Sequence, residues 1–289
     1  MEVWLAGVLD RLGEPPNRFH PVAWFGALAR GLEARFYRDS VAVGGVLAWL
    51  LVALAGGVGY ALDRGLAGLA PAVRYPLLAL CLKPGFALSA LLAAVAEVER
   101  ALQEDLDAGR RAVGRIVSRD VRRLDPPRVR MAALSSLAEN LVDSVAAPLL
   151  YYLLLGLPGA YLYRAANTLD ALWGYPNPRY RNFGRVAARL DDALGYLPAR
   201  IVGLALRGRG GPGRLAREAG KTPSPNAGWP MAALALRLGV RLEKPGVYAL
   251  NPRGRPPTPG DLARGLAAAR LLGYLTILAA GAVRWGVGG

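Results

Sequence analysis

The sequence predicts an all-α, polytopic integral membrane protein. Hydrophobic residues make up 53% of the 289-residue chain, and the mean hydropathy of +0.25 is high for a water-soluble protein. Several runs of about 20 residues have few or no charges, and a helix of that length spans the ~30 Å hydrocarbon core of a membrane. No segment is rich in strand-forming residues, and there is no long-period repeat. A soluble helical bundle is the alternative, but buried helices of soluble proteins rarely extend 20 residues without a charge.

Five segments are candidate membrane spans. Residues 41–62 carry no charge, residues 75–96 are interrupted only by Lys83, and a weaker candidate contains Arg200. In chain order the five are 41–62, 75–96, 144–163, 193–206 and 265–287. We therefore expect four or five transmembrane or re-entrant helices, with amphipathic helices outside the membrane, in a single helical membrane domain over residues 1–289.

The third candidate span is ambiguous. Residues 144–163 are uncharged, but Gly156 and Pro158 interrupt them. A single pass would place the basic segments 97–130 and 179–189 on opposite sides of the membrane, although both favour the cytoplasm. A broken or re-entrant helix pair that returns to the same side is the alternative, because irregular backbone at membrane depth is tolerated where it lines a cavity. The sequence leaves both topologies open.

Two polar segments lie between the spans. Residues 97–130 alternate arginines and acids at helical spacing, which predicts an extramembrane amphipathic helix or helix pair broken by Pro126 and Pro127. Residues 207–259 are basic and rich in Gly and Pro, so we expect mostly loop with one helix at 231–238.

Charge and rare residues exclude several classes of function. The chain has 36 basic and 21 acidic residues, a net charge of +15, which suits cytoplasmic loops, anionic lipid or an anionic substrate. No basic stripe carries interleaved aromatic residues, so we expect no nucleic-acid partner. Cys81 and His20 are the only residues of their types, which excludes intrachain disulfides and clusters of Cys or His ligands. We expect a multi-pass protein of the cytoplasmic membrane, with the lipid bilayer as a partner.

Asn and Asp side chains flank residues 144–163 in two matching pairs. Asn140 and Asp143 precede the run, and Asn167 and Asp170 follow it. The shared N-x-x-D spacing places both side chains of a pair on one helix face. Because Mg²⁺ prefers carboxylate and amide oxygens with water and phosphate, we expect a magnesium site with the candidate ligands Glu139, Asn140, Asp143, Asn167 and Asp170. Helix caps and inter-helix hydrogen bonds are the alternative for either pair alone.

Other polar residues are candidates for binding phosphate or substrate. Lys221 lies in a Gly-Lys-Thr sequence, but Leu215 stands where a phosphate-binding P-loop requires glycine. The loop after it offers Ser224 and Asn226 as hydrogen-bonding groups, unless it is an ordinary connector. His20 is either a phosphate contact or base, or a turn residue before proline. A further group follows Asp170, where positive-inside charge is the alternative for the arginines: Asn177, Arg179, Tyr180 and Arg181.

Several motifs together resemble adenosylcobinamide-phosphate synthase, the CobD/CbiB family of cobalamin biosynthesis membrane proteins. They are SLAENLVDSVAAPLLYY (136–152), NTLDALWGYPNPRYRNFG (167–184), RLDD (189–192) and SPNAGWP (224–230), and two further segments fit, DRLGEPPNRFHPV (10–22) and GRIVSRD (114–120). The resemblance covers nearly the whole chain in order. Ser144 stands where we would expect glycine.

The resemblance implies an amide ligation. Its substrates would be adenosylcobyric acid and (R)-1-amino-2-propanol phosphate, and its product adenosylcobinamide phosphate. ATP and Mg²⁺ are the implied cofactors, since an acyl phosphate would make the carboxylate reactive towards an amine. Other enzymes of the corrinoid pathway are possible partners.

We assign roles under this hypothesis. The paired Asn and Asp residues, with Glu139, would bind Mg²⁺. Phosphates would meet Lys221, Arg179 and Arg189, and Asp191 or Asp192 would position or deprotonate the amine. Substrate would be oriented by His20, Asn177, Tyr180, Ser224 and Asn226.

Two other functions remain open at this stage. A Mg²⁺-dependent membrane enzyme acting on a phosphorylated lipid would also use Asn and Asp pairs, and it would need a long apolar groove. A non-catalytic signalling or scaffold relative would use the same pairs structurally. The sequence leaves undetermined the membrane orientation, the oligomeric state, whether ATP is consumed at this site, whether the aminopropanol is phosphorylated, and how the corrinoid docks.

Overall fold

The structure, a computed structural model, describes residues 1–208 and 211–288. Within these ranges the chain is helical apart from turns and one short hairpin, which confirms the predicted all-α class. The helices are α1 (Glu2–Asp10), α2 (Pro21–Phe36), α3 (Val41–Leu66), α4 (Pro71–Leu82), α5 (Leu88–Glu104), α6 (Leu106–Gly114), α7 (Pro126–Leu141), α8 (Ala147–Leu155), α9 (Leu157–Trp173), α10 (Tyr180–Phe183), α11 (Arg185–Leu206), α12 (Pro212–Ala219), α13 (Gly228–Leu238) and α14 (Pro259–Gly288). Two 3₁₀ segments (Asn17–Phe19 and Lys83–Gly85), a π-helical segment (Val142–Ala146) and the antiparallel strands β1 (Leu242–Lys244) and β2 (Tyr248–Leu250) complete the chain order.

Three helical segments are long and apolar enough to cross a membrane. They are α3, the segment Pro71–Glu104 formed by α4 and α5, and Pro259–Gly286 of α14, with mean hydropathies of 2.3, 1.9 and 1.7. They match the candidate spans 41–62, 75–96 and 265–287. Large apolar side chains stay exposed on α3, among them Trp49 at 57%, as expected of a surface that faces lipid.

The candidate span 144–163 is not one helix. It begins in the π-helical segment, continues as α8 and ends in α9, with a break at Gly156. Gly156 has φ +70°, a conformation that side chains other than glycine rarely adopt, and the backbone N–H of Leu157 donates to Asp63 Oδ2 at 3.0 Å. The nine-residue α8 rises only about 14 Å and is too short to span the hydrocarbon core. Among the described helices, neither this stretch nor 193–206 meets the length and hydropathy of a span.

Two expectations about the polar segments were only partly right. Pro126 and Pro127 begin α7 rather than ending a helix, because the missing N–H of proline is harmless in a first turn and Asp125 caps it by accepting from Arg128 N at 2.9 Å. In the segment 207–259, the helix expected at 231–238 lies within α13, but α12 and the hairpin were not expected. Residues 209 and 210 of that predicted loop lie outside the described ranges.

The chain forms two compact units, each assembled from separate stretches. The first comprises residues 1–87, 147–194 and 276 onwards. Its centre is the packing of α3 against α9, where Trp173 and Phe183 meet edge to face with ring centroids 5.0 Å apart. The prediction of a single membrane domain stays a prediction, because two compact units can belong to one domain that folds as a whole or to two that fold separately.

The second unit comprises residues 88–146 and 195–275. Helix α7 is its most buried element and packs against α5, α6, α13 and β1. Arg130 of α7 makes a bidentate ion pair with Glu99 of α5, with N–O distances of 2.7 and 2.8 Å. The hairpin pairs Leu242 with Leu250, both fully buried.

Candidate functional site

A cavity of about 570 Å³ opens in the first unit between α2, α3 and α9. Its wall is largely apolar and includes Trp24 and Phe25 of α2 and Leu54 and Val58 of α3. Among the described residues that line it, Arg164 of α9 is the only one with a charged side chain. Leu54 and Val58 are about half exposed and belong to a candidate span, so the cavity opens on the apolar face of α3.

Four ionisable side chains adjoin this cavity and form what we call the polar cluster: Asp10, Glu14, His20 and Lys83. Lys83 Nζ donates to Glu14 Oε1 at 2.5 Å and lies 3.3 Å from Asp10 Oδ1. His20 Nε2 lies 3.1 Å from Glu14 Oε2. Lys83 is 8% exposed and Asp10 only 1%, and the residues that follow His20 and Lys83 in the chain line the cavity. The cavity therefore has a buried network of paired charges beside it.

Both ring nitrogens of His20 have partners. The backbone N–H of Val22 donates to Nδ1 at 3.2 Å, which makes Nδ1 an acceptor. The neutral ring then carries its proton on Nε2 and donates it to Glu14. His20 thus caps α2 and holds Glu14, and a phosphate contact by His20 would have to displace one of these partners.

Four of the predicted site residues meet where α9 lies beside α11 and form what we call the acidic group: Asn167, Asp170, Asp191 and Asp192. Asn167 Nδ2 donates to Asp191 Oδ1 at 3.2 Å. Burial raises the pKa of the Asp170 carboxyl to about 6, and the negative charge of Asp192 adds to the effect. Burial also raises the pKa of Asp192, against the opposing charge of Arg189. Burial therefore disfavours the ionised form of both carboxyls, and the charge of Asp192 further disfavours ionisation of Asp170.

The acidic group has the donor chemistry of a Mg²⁺ site. Carboxylate and amide oxygens are the ligands that Mg²⁺ prefers, and a cation would offset the repulsion between Asp170 and Asp192. Within residues 1–208 and 211–288, no three His, Cys, Asp or Glu side chains are grouped closely enough to hold a metal alone. Amide oxygens, water and substrate phosphate would have to complete the coordination.

The other predicted metal ligands lie in the second unit. Glu139 is exposed at the end of α7. Asn140 Nδ2 donates to the carbonyl of Ser136 at 3.0 Å, which leaves its amide oxygen available to a ligand. Asp143 lies in the π-helical segment, an irregularity frequent at functional sites. Their role as metal ligands stays a prediction.

A buried carboxylate holds the aromatic loop after α9. Glu33, 7% exposed, accepts hydrogen bonds from Arg179 at 2.8 Å, the Tyr180 hydroxyl at 2.9 Å and Trp173 Nε1 at 3.0 Å. Asn177 Oδ1 accepts from the backbone N–H of Tyr180 at 2.9 Å. In this structure these residues shape the loop, so a phosphate at Arg179 would compete with Glu33.

The loop between α12 and α13 in the second unit is held by hydrogen bonds within it and by a side chain of α11. Ser224 Oγ accepts from the backbone N–H groups of Asn226 and Ala227 at 3.2 and 3.1 Å. Arg200 of α11 donates to Asn226 Oδ1 at 3.2 Å and stacks on Tyr196, with Cζ 3.3 Å from the ring centroid. Ser224 and Asn226 therefore fix the shape of the loop.

Lys221 precedes this loop and pairs with a carboxylate of α12. Its Nζ lies 2.7 Å from Glu218 Oε1, and Glu218 Oε2 accepts from Asn251 N at 2.7 Å. Burial alone would raise the pKa of Glu218, but these hydrogen bonds outweigh it and hold the pKa below its usual value. Lys221 is thus partly neutralised, although its side chain is 40% exposed.

Sequence reasoning missed Glu14, Glu33, Lys83 and Arg164. Lys83 carried a usable signal, because a lone charge inside a candidate span indicates a functional or tightly paired residue. Its partners lie about 70 residues away in the chain, and nothing in the sequence pattern links them. Nothing in the sequence distinguished Arg164 from the many other arginines of this basic chain.

The CobD/Cbib protein family matches residues 3–278. The chain is 46% identical over 265 residues to the "Probable cobalamin biosynthesis protein CobD" of Thermococcus kodakarensis, covering 88% of this chain and 85% of the relative. It is 45% identical over 266 residues to the "Cobalamin biosynthesis protein CobD" of Chromobacterium violaceum, covering 88% and 84%. The protein of the same name from Rhodobacter capsulatus is 38% identical over 335 residues, covering 98% and 94%. No solved structure matches the chain.

Proposed function

The chain belongs to the CobD/CbiB family of cobalamin biosynthesis proteins, and from this premise we propose that it is an adenosylcobinamide-phosphate synthase. The proposed reaction joins the free carboxylate of adenosylcobyric acid to the amine of (R)-1-amino-2-propanol phosphate. A carboxylate oxygen must become a leaving group before an amine can displace it. ATP with Mg²⁺ would supply this activation by phosphoryl transfer.

The single observation that carries the proposal is that α9 lines the cavity and also carries Asn167 and Asp170 of the acidic group. Arg164 lines the cavity, and Asp170 lies six residues further along α9, a rise of about 9 Å. An activated carboxylate and a metal-bound phosphate need this kind of proximity. The proposed Mg²⁺ ligands in this group are Asn167 and Asp170, and the proposal adds Glu139, Asn140 and Asp143.

The amine must lose a proton when it forms the amide. Asp191 or Asp192 would position the ammonium group and take the proton on a carboxylate oxygen. Because burial raises the pKa of Asp192, it is a better proton acceptor near neutral pH than an ordinary aspartate. Asp191 is held by Asn167, which suits it to positioning.

Phosphate binding would use basic side chains that the structure pairs with acids. Arg189 is exposed beside Asp192, whereas Arg179 and Lys221 would exchange Glu33 and Glu218 for phosphate oxygens. Such exchange is feasible at partly exposed sites, where an ion pair contributes about 0–1 kcal/mol. Hydrogen-bonding groups that would orient substrate are His20, Asn177, Tyr180, Ser224 and Asn226.

We further propose that the protein is a multi-pass protein of the cytoplasmic membrane. Three apolar helices and the +15 net charge support this location, since basic loops favour the cytoplasmic side. Its partners would be the lipid bilayer and other enzymes of the corrinoid pathway.

The proposal is tested by product formation in purified protein. The detergent-solubilised protein is incubated with adenosylcobyric acid, aminopropanol phosphate and MgATP, and products are identified by mass spectrometry. We expect adenosylcobinamide phosphate only when nucleotide and Mg²⁺ are both present, and no product from Asp170→Asn. Arg35→Met, an exposed change on α2, serves as the control. Full product formation without ATP would contradict the proposed energy source.

A phosphorylated lipid is the second candidate substrate, because the cavity opens on the apolar face of α3. In that case a lipid phosphate would be turned over in the presence of Mg²⁺, and corrinoids would not compete. The same preparation distinguishes the two functions when it is supplied with phospholipid vesicles instead of corrinoid.

A further inference from the structure

Helix α11 carries a proline in its interior, Pro198. Proline has no backbone N–H, so it cannot donate to the carbonyl four residues earlier, which is that of Leu194. Instead, the Tyr151 hydroxyl of α8 donates to this carbonyl at 2.9 Å. Because a carbonyl left without a donor costs free energy, the hydroxyl supplies a hydrogen bond that the sequence of α11 removes.

The carbonyl of Leu194 belongs to the turn of α11 that carries two carboxylates of the acidic group. Asp191 comes three residues and Asp192 two residues before Leu194, which is less than one turn of helix. The Asp191 carboxylate accepts from Asn167 Nδ2 of α9 at 3.2 Å. A hydrogen bond at Leu194 therefore limits both the rotation of this turn about the helix axis and its displacement from α9.

Tyr151 is itself packed against α9. Its ring stacks on the ring of Tyr163, with centroids 5.4 Å apart and planes inclined by 10°. Tyr163 is fully buried and lies four residues before Asn167, so the two side chains share one face of α9. Tyr151 thus contacts α9 with its ring and α11 with its hydroxyl, beside the direct hydrogen bond between Asn167 and Asp191.

We propose that Tyr151 is a positioning residue for the acidic group. It replaces the hydrogen bond that Pro198 cannot make, and so holds Asp191 against Asn167 in the arrangement that binds a divalent cation. Tyr151 acts through α11 and contacts neither the metal nor the substrate. With an N–H at position 198, the Leu194 carbonyl would be satisfied within α11, so the proline makes the contact with α8 necessary. This inference rests on the Mg²⁺ site of the proposed function and adds to it the residue that fixes its geometry.

A double-mutant cycle tests the proposal. Tyr151→Phe removes the hydroxyl and keeps the ring, and Pro198→Ala restores an N–H that can donate to Leu194. The probe is Mn²⁺, which takes the same oxygen ligands as Mg²⁺, and its binding to the detergent-solubilised protein is measured by electron paramagnetic resonance. We expect Tyr151→Phe to weaken Mn²⁺ binding roughly threefold to tenfold, as the loss of one hydrogen bond would. In the Pro198→Ala protein the same change should have less than about a twofold effect.

Tyr161→Phe is the matched control. It also removes a tyrosine hydroxyl that donates to a backbone carbonyl, that of Cys81 at 2.8 Å, but this bond joins α9 to α4 and not to α11. Both Tyr→Phe variants should lower the melting temperature, because each loses a hydrogen bond of the same kind. Only Tyr151→Phe should weaken Mn²⁺ binding, a response that a loss of stability alone does not produce. Asp170→Asn should lose the bound Mn²⁺, which assigns it to the acidic group.

The outcomes separate this inference from the proposed function. If Tyr151→Phe binds Mn²⁺ as tightly as Tyr161→Phe does, or weakens binding equally in the wild-type and Pro198→Ala backgrounds, the inference is overturned. Wild-type protein that binds no Mn²⁺, or Mn²⁺ that Asp170→Asn retains, also overturns it, and formation of adenosylcobinamide phosphate would still support the synthase. If the Mn²⁺ results are as expected and no product forms, the inference stands and the proposed function fails.

Discussion

Lys83 and Lys221 are two of the three lysines in the chain, and their surroundings differ sharply. Lys83 is 8% exposed and bridges Asp10 and Glu14, which lie about 70 residues away in the chain. The Lys221 side chain is 40% exposed and pairs with Glu218 three residues before it. The sequence drew attention to Lys221 through its Gly-Lys-Thr context, whereas burial and number of partners single out Lys83. The comparison shows that burial and the number of ion-pair partners, more than the local sequence motif, determine how much a charged side chain affects the free energy of unfolding.

The largest effect should come from removing the buried lysine. Lys83→Met leaves the Asp10 and Glu14 carboxylates without their cation, and breaking a buried ion pair in this way costs about 3–5 kcal/mol. Equilibrium unfolding of the detergent-solubilised variant measures the change. A variant that also carries Asp10→Asn and Glu14→Gln should recover part of the loss, because no uncompensated charge remains. If Lys83→Met lowers the free energy of unfolding by less than about 1 kcal/mol, the ion pairs of Lys83 stabilise the fold no more than the exposed pair of Lys221, and the prediction is contradicted.

Asp170 extends the comparison to a buried charge beside a like charge. Its pKa of about 6 in the folded protein lies above the unfolded value of about 3.9, so the folded state binds the proton more tightly. The resulting stability is fully present below pH 4 and is lost as the pH rises through 6. Thermal unfolding should show this loss, on the order of 2 kcal/mol after allowing for partial solvent screening, and Asp170→Asn should reduce it.

Magnesium gives an independent measure of the same group. Above pH 6, added Mg²⁺ should raise the melting temperature of the wild-type protein and have less effect on Asp170→Asn. An equal Mg²⁺ effect on both proteins would remove Asp170 from the metal site.

A smaller effect on stability is expected at Arg200, where the planar shape of the guanidinium matters more than its charge. Arg200→Lys keeps the charge but loses the planar stacking on Tyr196 and the forked donation to Asn226 Oδ1 and the Pro225 carbonyl. We expect a loss of about 1–2 kcal/mol in stability and faster proteolysis within 222–230. Unchanged proteolysis would show that the loop keeps its shape without the guanidinium.

The smallest stability effect should come from Lys221→Ala. An exposed ion pair of this kind contributes at most about 1 kcal/mol. If Lys221 meets phosphate as proposed, the KM for ATP should rise in the synthase assay while the unfolding curve hardly changes. Wild-type kinetics in this variant would leave Lys221 as a surface lysine that only pairs with Glu218.

Much of the fold was predictable because hydropathy is a local property of the sequence. The uncharged run 41–62 lies inside α3, and the break at Gly156 was one of the two topologies that proline and glycine allowed. The prediction failed at Pro126, where the same residue type that ends helices also begins them. The hairpin at 242–250 was missed because strands of three residues leave almost no pattern.

The candidate site was less predictable because its contacts are long-range. The spacing of Asn167 and Asp170 predicted that they share one helix, and both lie on α9, whereas the hydrogen bond between Asn167 and Asp191 of α11 could not be predicted from the spacing. The engagement of Arg179 by Glu33 was not visible, since the two residues are 146 positions apart. A sequence pattern indicates which side chains share a helix face, but not which distant carboxylate forms an ion pair with a given basic residue.

The close contact of α3 with α10 and the start of α9 has a consequence for how this protein tolerates change in length. A Cβ atom at Gly44 would lie 1.9 Å from the carbonyl oxygen of Phe183, and one at Gly59 would lie 2.7 Å from the backbone of Leu157. The start of α9 is thus in close contact with α3, and so is α10, which follows α9 in the chain, so that α9 has little room to slide or rotate to absorb an extra residue. One residue inserted between Arg164 and Asp170 would turn one against the other by about 100°, whereas four would nearly restore their alignment one turn further apart. Helix α9 therefore keeps the distance between the cavity and the acidic group fixed.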